Sequence, residues 1–327
     1  MSKTSLQILE MLADGNPLSG EFMGQALGIS RMAVSKAIKG LTQRGLEITS
    51  NPGRGYQLVS PLQLLDGLTI SRQLEKVTGG NFRLEILHEV NSTSDYLLEQ
   101  AKTRDIHRLI CLAERQAGGR GRRQRKWHSS AYRNIILSMG WRFDEGMAGL
   151  SGLGIATGIS IVRALHEAGY DREIGLKWPN DIVFNDSKLG GLLIDVRGEH
   201  DGPCMAILGF GLNLSLSNAE LQSIDQPVTT LEKISSTPPE RNKIITEIIH
   251  ALMNLFESYP ETGFTYWQQQ WQNYDRLFGR QVNVIKSDTS FAGVAMGIDN
   301  LGALQLKDHN DQVASFYSGD VSLRLAR

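Results

Sequence analysis

A multidomain α/β (α+β) chain is what this sequence predicts, and three shifts of pattern predict it. Residues 1 to about 60 read as helices followed by a hairpin. Residues from about 66 to 270 alternate strand-like and helix-like stretches, and from about 274 short alternating strands take over. At 327 residues the chain is long for one domain, and the divisions expected are 1–63, 66–272 and 274–327. Hydrophobic content of 41% with 21% charged residues suits a globular protein with a sizeable core. The formal net charge of −1 removes any whole-molecule case for a polyanionic partner, so that case has to come from local charge. Cys111 and Cys204, the two cysteines, lie far apart in apolar surroundings. This suits a reducing, cytoplasmic setting and argues against a disulfide framework or a cysteine-based zinc site. The first residues lack the apolar core of a signal peptide, and no stretch approaches membrane-spanning length. Glycine, at 34 residues, is roughly 10% against an average near 7%, and the excess sits in short polar loops where backbone can approach a ligand.

At the N-terminus Ser19 can cap a helix whose apolar Phe22, Met23, Ala26 and Leu27 share a face. Gly28-Ile29 then turns the chain and Ser30 can cap a second helix, with Val34, Ile38 and Leu41 inward and Arg31, Ser35, Lys36 and Lys39 outward. Leu46–Thr49 and Tyr56–Val59 read as paired strands around a turn that carries Arg54. Helix, turn, helix and basic-tipped hairpin in this order make a winged helix-turn-helix, with cations for phosphate and small polar groups near base edges. The alternative is a small domain that only packs on the rest or binds a protein.

Four segments of the central region carry candidate chemistry. Glu89–Ser94 follows an apolar strand (Leu84 to Leu87) and precedes a helix beginning near Tyr96. Its hydroxyls could bind a neutral polar head or simply cap the helix. Gln116–Trp127 follows the strand Leu109 to Ala113 and holds five cations, three glycines and no acid. Such a loop binds an anion, through phosphate contacts or as a nucleic-acid-binding arginine loop. In Lys177-Trp178-Pro179-Asn180-Asp181 the proline ends a strand just after the lysine, a fit for a phosphate and carboxylate clamp with metal or ribose ligands beside it. Gly190-Gly191 lies in the apolar run that follows. Leu208–Leu214, with Gly209, Gly211 and Asn213, closes a strand from about Met205 and reads as room for a ligand ring or as a β-bulge.

Taken together and in order, these residues resemble the biotin protein ligase family, and within it the bifunctional type that also represses the biotin operon. The resemblance covers essentially the whole chain, and its most specific elements are Gly119–Arg123 and Lys177–Asp181. It implies a mixed-sheet catalytic domain of the biotin/lipoate-ligase type and a small SH3-like β-barrel at the C-terminus. It implies that Ser92, Thr93, Ser94, Gln116, Gly119, Arg120, Gly121, Arg122 and Lys177 bind biotin, with Gly190, Gly191, Gly209 and Gly211 as close walls. Arg120, Arg122, Arg125, Trp127, Asn180 and Asn213 would hold ATP and the adenylate, and Asp181 a Mg²⁺ ion. Catalysis would fall to Lys177, Arg120 and Arg122. The implied partners are a biotin carboxyl carrier protein, operator DNA of biotin-biosynthesis genes and a second copy of the chain in a ligand-promoted homodimer. Two positions depart from the family pattern: Ser94 stands where asparagine is usual, and Gln124 where the loop usually has a glycine. Two rivals remain. A lipoate-attachment transferase would use a cysteine, and both cysteines here sit in apolar runs. A non-catalytic biotin sensor would need neither Lys177 nor the arginine set.

Overall fold

The computed structural model describes residues 1–198, 200–286, 289–319 and 321–325, and the side chains of Gln124, Asn218 and Ala219 fall outside the description. Helices α1 (Lys3–Leu12), α2 (Gly20–Leu27) and α3 (Arg31–Gln43) precede a hairpin of β1 (Ile48–Asn51) and β2 (Gly55–Leu58). Ser19 and Ser30 cap α2 and α3 by accepting the N–H groups of Phe22 and Ala33, and Gly28 ends α2 in the left-handed region (φ 66). The inward face of α2 is Met23 and Gly24 with Leu27 half-buried. Phe22 is 53% exposed and Ala26 is also exposed, which corrects the face expected from the sequence. The first strand of the hairpin starts later than expected because Leu46 folds into the core and its N–H closes the end of α3 on the Leu41 carbonyl (3.3 Å), while the second starts one residue earlier, at Gly55. Gly55 (φ 93) is required where it stands, since any Cβ there would strike the Leu18 backbone. Leu18 and Tyr56 exchange both backbone bonds at that point.

The central part runs α4 (Gly67–Thr78), β3 (Arg83–Leu87), α5 (Thr93–Gln100), β4 (Leu109–Ala113), β5 (Asn134–Phe143), α6 (Leu153–Glu167), β6 (Gly175–Lys177), β7 (Asp181–Phe184), β8 (Ser187–Gly198) and β9 (Cys204–Asn213). Short α7 (Asn218–Gln222) and α8 (Leu231–Ile234) lead to α9 (Arg241–Trp271), which breaks at Gly263 (φ 60). Its strands form one sheet in the order β3-β4-β5-β9-β8-β7-β6, in which β3 and β4 pair in parallel and all other neighbours antiparallel. Helix α5 starts at Thr93 rather than near Tyr96, because Ser92 caps it by accepting the Asp95 N–H. The tail, β10 (Gln281–Lys286), β11 (Thr289–Ile298), β12 (Leu304–Lys307), β13 (Val313–Phe316) and β14 (Val321–Leu325), is an antiparallel sheet in the order β13-β12-β11-β10-β14. Ser287, Asp288, Asp320, Ala326 and Arg327 of that stretch lie outside the described residues. Among the described residues no helix is long and apolar enough to cross a membrane.

Alternation along the strands gives the sheet two different faces. Ile110, Leu112, Leu137, Met139, Leu208, Phe210 and Leu212 join the main core under α6 and α9, which continues without a break into the tail through Val282, Val284 and Leu304. The opposite face carries Cys111 and Ile207 beneath Leu97 of α5. The N-terminal helices and hairpin have a core of their own, to which Tyr132 of the central part contributes.

One buried ion pair ties the parts together. Arg241, 2% exposed, donates to Glu114 (2.5 Å) and to the carbonyls of Asn134 (2.8 and 3.1 Å) and Gln63 (2.9 Å). The other oxygen of Glu114 accepts the Leu65 N–H (2.6 Å). Linker, β4, β5 and α9 therefore meet at one charge. Removing a single partner leaves that charge buried and unpaired, so Glu114→Ala is expected to destabilise by about 3–5 kcal/mol in urea unfolding. The double change Glu114→Leu/Arg241→Met is expected to restore most of the loss.

Candidate functional site

Register assembles the site. Directly paired residues of neighbouring strands lie on the same face. Gly211 pairs with Ile136 and with Gly191, Gly191 with Asp181, and Asp181 with Lys177. One step along the strands, Ser138 pairs with Cys111 and Gly209, and Gly209 with Leu193. The two rows cross the sheet on the face away from α6 and α9. From Ser138 on β5 to Lys177 on β6 is four interstrand steps of about 4.8 Å, roughly 19 Å in all. A shallow trough results, with a neutral hydroxyl end, a glycine middle and a charged end.

The neutral end is a chain of hydroxyls. Ser138, fully buried, donates to Thr93 Oγ1 (2.8 Å), and Thr93 donates in turn to Gln116 Oε1 (3.2 Å), which also accepts the Thr93 N–H (2.9 Å). With the Ser138 proton so used, Ser94 donates to Ser138 across their 3.0 Å contact. Ser92 is spent as the helix cap. The Gln116 amide nitrogen makes no bond among the described residues and lies against Gly119, where a Cβ would collide with it. The departure at Ser94 thus has a physical account: its hydroxyl occupies the space above Gly209, where a Cβ would come within 2.5 Å of it.

The wall of the trough is Trp127. Its indole covers Gly211, whose Cβ would sit 2.5 Å from the ring, so the glycines of β9 make room for Trp127 and Ser94 rather than for a bulge. Both strand pairings of β9 run without interruption. Gly190 is held against the Gly211 carbonyl, and a Cβ there would lie 2.8 Å from its oxygen. The loop that carries Trp127 is pinned by Ala117 N–H to Val90 O (2.9 Å), Gly118 N–H to Asn91 O (2.8 Å) and Trp127 N–H to Gly119 O (2.8 Å). Its tip closes by Gly121 N–H to Arg125 O (2.8 Å), with Arg123 as the left-handed residue (φ 56). The expectation at Gln124 concerns a side chain outside the described residues.

Cations converge on the charged end. Lys177 is largely shielded from solvent; burial lowers its pKa from the ordinary lysine value, Asp181 opposes that, and Lys188 adds to it. Arg122 is lowered in the same way, by burial first and then by Arg123, with Asp181 again opposing. One terminal nitrogen of Arg122 is buried without a partner among the described residues. Lys188, which the sequence reading passed over, pairs with Asp181 (2.6 Å) and lies over the Trp127 ring at 5.5 Å. Arg125 is exposed at the loop tip. An anion at this end would satisfy several half-buried positive groups at once.

Other expected residues fall differently. Arg120 turns away to pair with Asp95 in the first turn of α5. Asn180 uses its amide on the Leu192 carbonyl (2.6 Å), which holds the Lys177–Asp181 turn against β8 instead of facing a ligand. Asn213 gives one amide proton to Thr229 O (3.3 Å) and keeps a buried, unpartnered oxygen. A polar cavity of about 600 Å³ opens between Trp127, Ser130, Ser215, Glu220 and Arg44. Arg31, Ser35, Lys36, Lys39 and Arg54 are all exposed on the N-terminal unit, apart from the trough.

Fold and site define a helix-turn-helix protein built onto an α/β domain with a trough for an elongated, anionic-ended ligand. Comparison with known proteins is more specific. Residues 4–57 match an HTH domain, 87–213 the biotin/lipoate A/B protein ligase family, and 277–324 the biotin protein ligase C terminal domain. The bifunctional ligase/repressor BirA of Salmonella typhimurium is 35% identical over 324 residues, covering 98% of each chain. Its counterpart in Escherichia coli is 34% identical over 324 residues, covering 98% of this chain and 97% of that one. A biotin protein ligase from Aquifex aeolicus, solved in complex with biotin and ATP, superposes with a TM-score of 0.61 at 24% identity, over 75% of this chain and 99% of that one, a likeness of fold. The chain belongs to the biotin protein ligase family, in its bifunctional ligase/repressor branch.

Burial of the Lys177 charge carries a stability cost. A lysine whose folded pKa is lowered binds fewer protons in the folded than in the unfolded chain between that value and 10.5, so stability rises with pH through that window. Lys177→Met is therefore expected to raise the melting temperature of the ligand-free protein at neutral pH by about 1–3 °C. The gap should narrow as pH approaches 10. An unchanged or lowered melting temperature at pH 7 would contradict the burial argument.

Proposed function

We propose that this protein activates biotin with ATP, transfers it to a lysine of a carrier protein, and represses transcription by binding operator DNA. The observation that carries the reading is the two-ended trough, whose hydroxyl end suits biotin's neutral ureido ring and whose cationic end suits a carboxylate meeting a phosphate. Thr93, Ser94, Gln116 and the backbone of Gly119, Arg120 and Gly121 bond the ring; Gly209 and Gly211 seat Ser94 and Trp127 against it, Gly191 continues their row, and Gly190, paired with Leu212 and Ile182, faces the core beneath. Ser92 acts through the start of α5.

In the first step a biotin carboxylate oxygen attacks the α-phosphorus of ATP, and the bond to pyrophosphate breaks. Lys177 holds the carboxylate and the α-phosphate together, and negative charge builds on that phosphate in the transition state. A fixed, partly desolvated cation is worth more there than in water. Arg122, with its unpartnered nitrogen, takes a phosphate oxygen. Arg120 and Arg125 close over the adenylate once Arg120 leaves Asp95. Trp127 walls the nucleotide, and the free oxygen of Asn213 accepts from the adenine amine. Asn180 positions the clamp. In the second step the acceptor lysine, as a free amine, attacks the biotinyl carbonyl, AMP leaves, and a proton passes to solvent.

Mg²⁺ fits only as an ion shared with the nucleotide. Among the described residues no group of three or more His, Cys, Asp or Glu could hold a metal, and Asp181 already pairs with Lys188. Asp181 would hold the ion, which supplies charge neutralisation on the leaving pyrophosphate. A cysteine-dependent lipoate transfer is disfavoured, since Cys111 is fully buried and its thiol is pushed up to about 12.

The separate N-terminal core supports a division at 1–63, 66–272 and 274–327, with the last two sharing a core. Arg31, Ser35, Lys36, Lys39 and Arg54 meet DNA. The arginine loop, ordered over the adenylate, completes a dimer surface so that two copies match a two-fold operator.

Intact mass of a biotin-acceptor domain tests the ligase reading, after incubation with this protein, ATP, Mg²⁺ and biotin, with lipoate in parallel. A biotin-sized increase is expected, none with lipoate, and a rate roughly 10²–10³-fold lower for Lys177→Ala. No modification by the wild-type protein would overturn it. For the repressor reading, the adenylate and not biotin alone is expected to tighten operator binding by about 5–150-fold in a mobility-shift titration. Equal affinity in all three states would sink that coupling.

A further inference from the structure

The recognition helix α3 carries a residue that the phosphate-contact account leaves unused. Its inward stripe is Val34, Ala37, Ile38 and Leu41. Its outward stripe is Met32, Ser35, Lys36 and Lys39, the i, i+3, i+4, i+7 spacing of one helical face, with Arg31 beside it. Met32 is 80% exposed, more than any other large apolar side chain among the described residues. Scattered surface apolar groups need no explanation. This one has a particular setting: the second position of the helix, in a first turn with no acid, on a stripe whose charges are all positive.

A positive stripe at a positive helix N-terminus selects a polyanion, and residues at the start of a recognition helix are the ones that reach base edges. Phosphates and the polar base edges offer nothing to a thioether chain. The one apolar group on the major-groove edge of DNA is the 5-methyl of thymine. A flexible, unbranched methionine can adapt its end to such a methyl.

We propose that Met32 is a sequence-reading residue of this protein, packing its thioether on a thymine 5-methyl group in each operator half-site. The inference rests on the DNA-binding reading and deepens it. It divides the helix between Met32, which discriminates sequence, and Lys36, Lys39 and Arg31, which hold the backbone.

The test uses the full chain with biotin, ATP and Mg²⁺ and duplexes it enriches from a random-sequence duplex pool. Each thymine of an enriched duplex is replaced singly by deoxyuridine, which removes only the 5-methyl. One symmetric position per half-site is expected to cost the wild-type protein roughly four- to tenfold in affinity. Met32→Ala should weaken binding to the thymine duplex by a similar factor and be indifferent to uracil at that position, while Met32→Leu keeps part of the penalty. Since Met32 is exposed, both variants should melt with the wild type. Uracil penalties that are absent in the wild type, or unchanged in Met32→Ala, overturn the inference while the DNA-binding reading stands. A Met32→Ala effect confined to self-association overturns it equally, placing Met32 between copies of the chain. A wild-type protein that enriches no duplex removes the DNA-binding reading and the inference with it.

Discussion

Everything at the site depends on strand register on one face of the seven-stranded sheet. Ile136, Gly211, Gly191, Asp181 and Lys177 form a single row because five strands pair without a slip between them at that level. A one-residue shift of any strand would turn its member of the row into the core beneath. The long pairing of β8 with β9 secures the middle. The vulnerable member is β6, a three-residue edge strand that carries Lys177. The segment leading into the tail holds it: Leu176 N–H bonds Tyr274 O (2.7 Å) and Arg276 N–H bonds Leu176 O (2.9 Å). Trp178 Nε1 bonds the Gly302 carbonyl (3.0 Å), and Arg280 grips Asp186 at the β7–β8 turn through two nitrogens (2.5 and 2.9 Å). The tail thus clamps the edge on which the key cation stands.

The same sheet links the trough to the N-terminal unit. Directly after strand β4 comes Glu114, the partner of Arg241, and the next residues are Arg115 and Gln116. Arg115 pairs with Glu89, which also lies 3.6 Å from Arg44 at the end of α3. On the far side of the arginine loop, Tyr132 enters the core of the N-terminal unit, and Ser130 donates to Glu220 beside the cavity. Both ends of the arginine loop are therefore tied to the N-terminal unit.

Much of this was legible in the sequence, for definite reasons. Ser19, Gly28 and Ser30 act as punctuation because capping and left-handed turns are local chemistry. Lys177, Pro179 and Asp181 mark a strand end whose break needs no tertiary knowledge. Ser138 was not legible, since a lone serine in an apolar strand gains meaning only when Gly209 and Thr93 arrive from elsewhere. Lys188 was missed because its reach to Asp181 and Trp127 depends on the β7–β8 hairpin. Arg120 and Asn180 were legible as polar groups near the site, but their partners Asp95 and Leu192 belong to other elements. The glycines of β9 were read as space, and the space is filled by Ser94 and Trp127.

The most direct test of the trough is a crystal structure of this protein with biotinyl-5′-AMP. The account predicts the ureido ring at the Thr93–Gln116 end against the Ser94 hydroxyl, and the phosphate bonded to Lys177 Nζ and Arg122. A ring turned toward Lys177, or a phosphate held away from the Gly191–Asp181–Lys177 row, would contradict it.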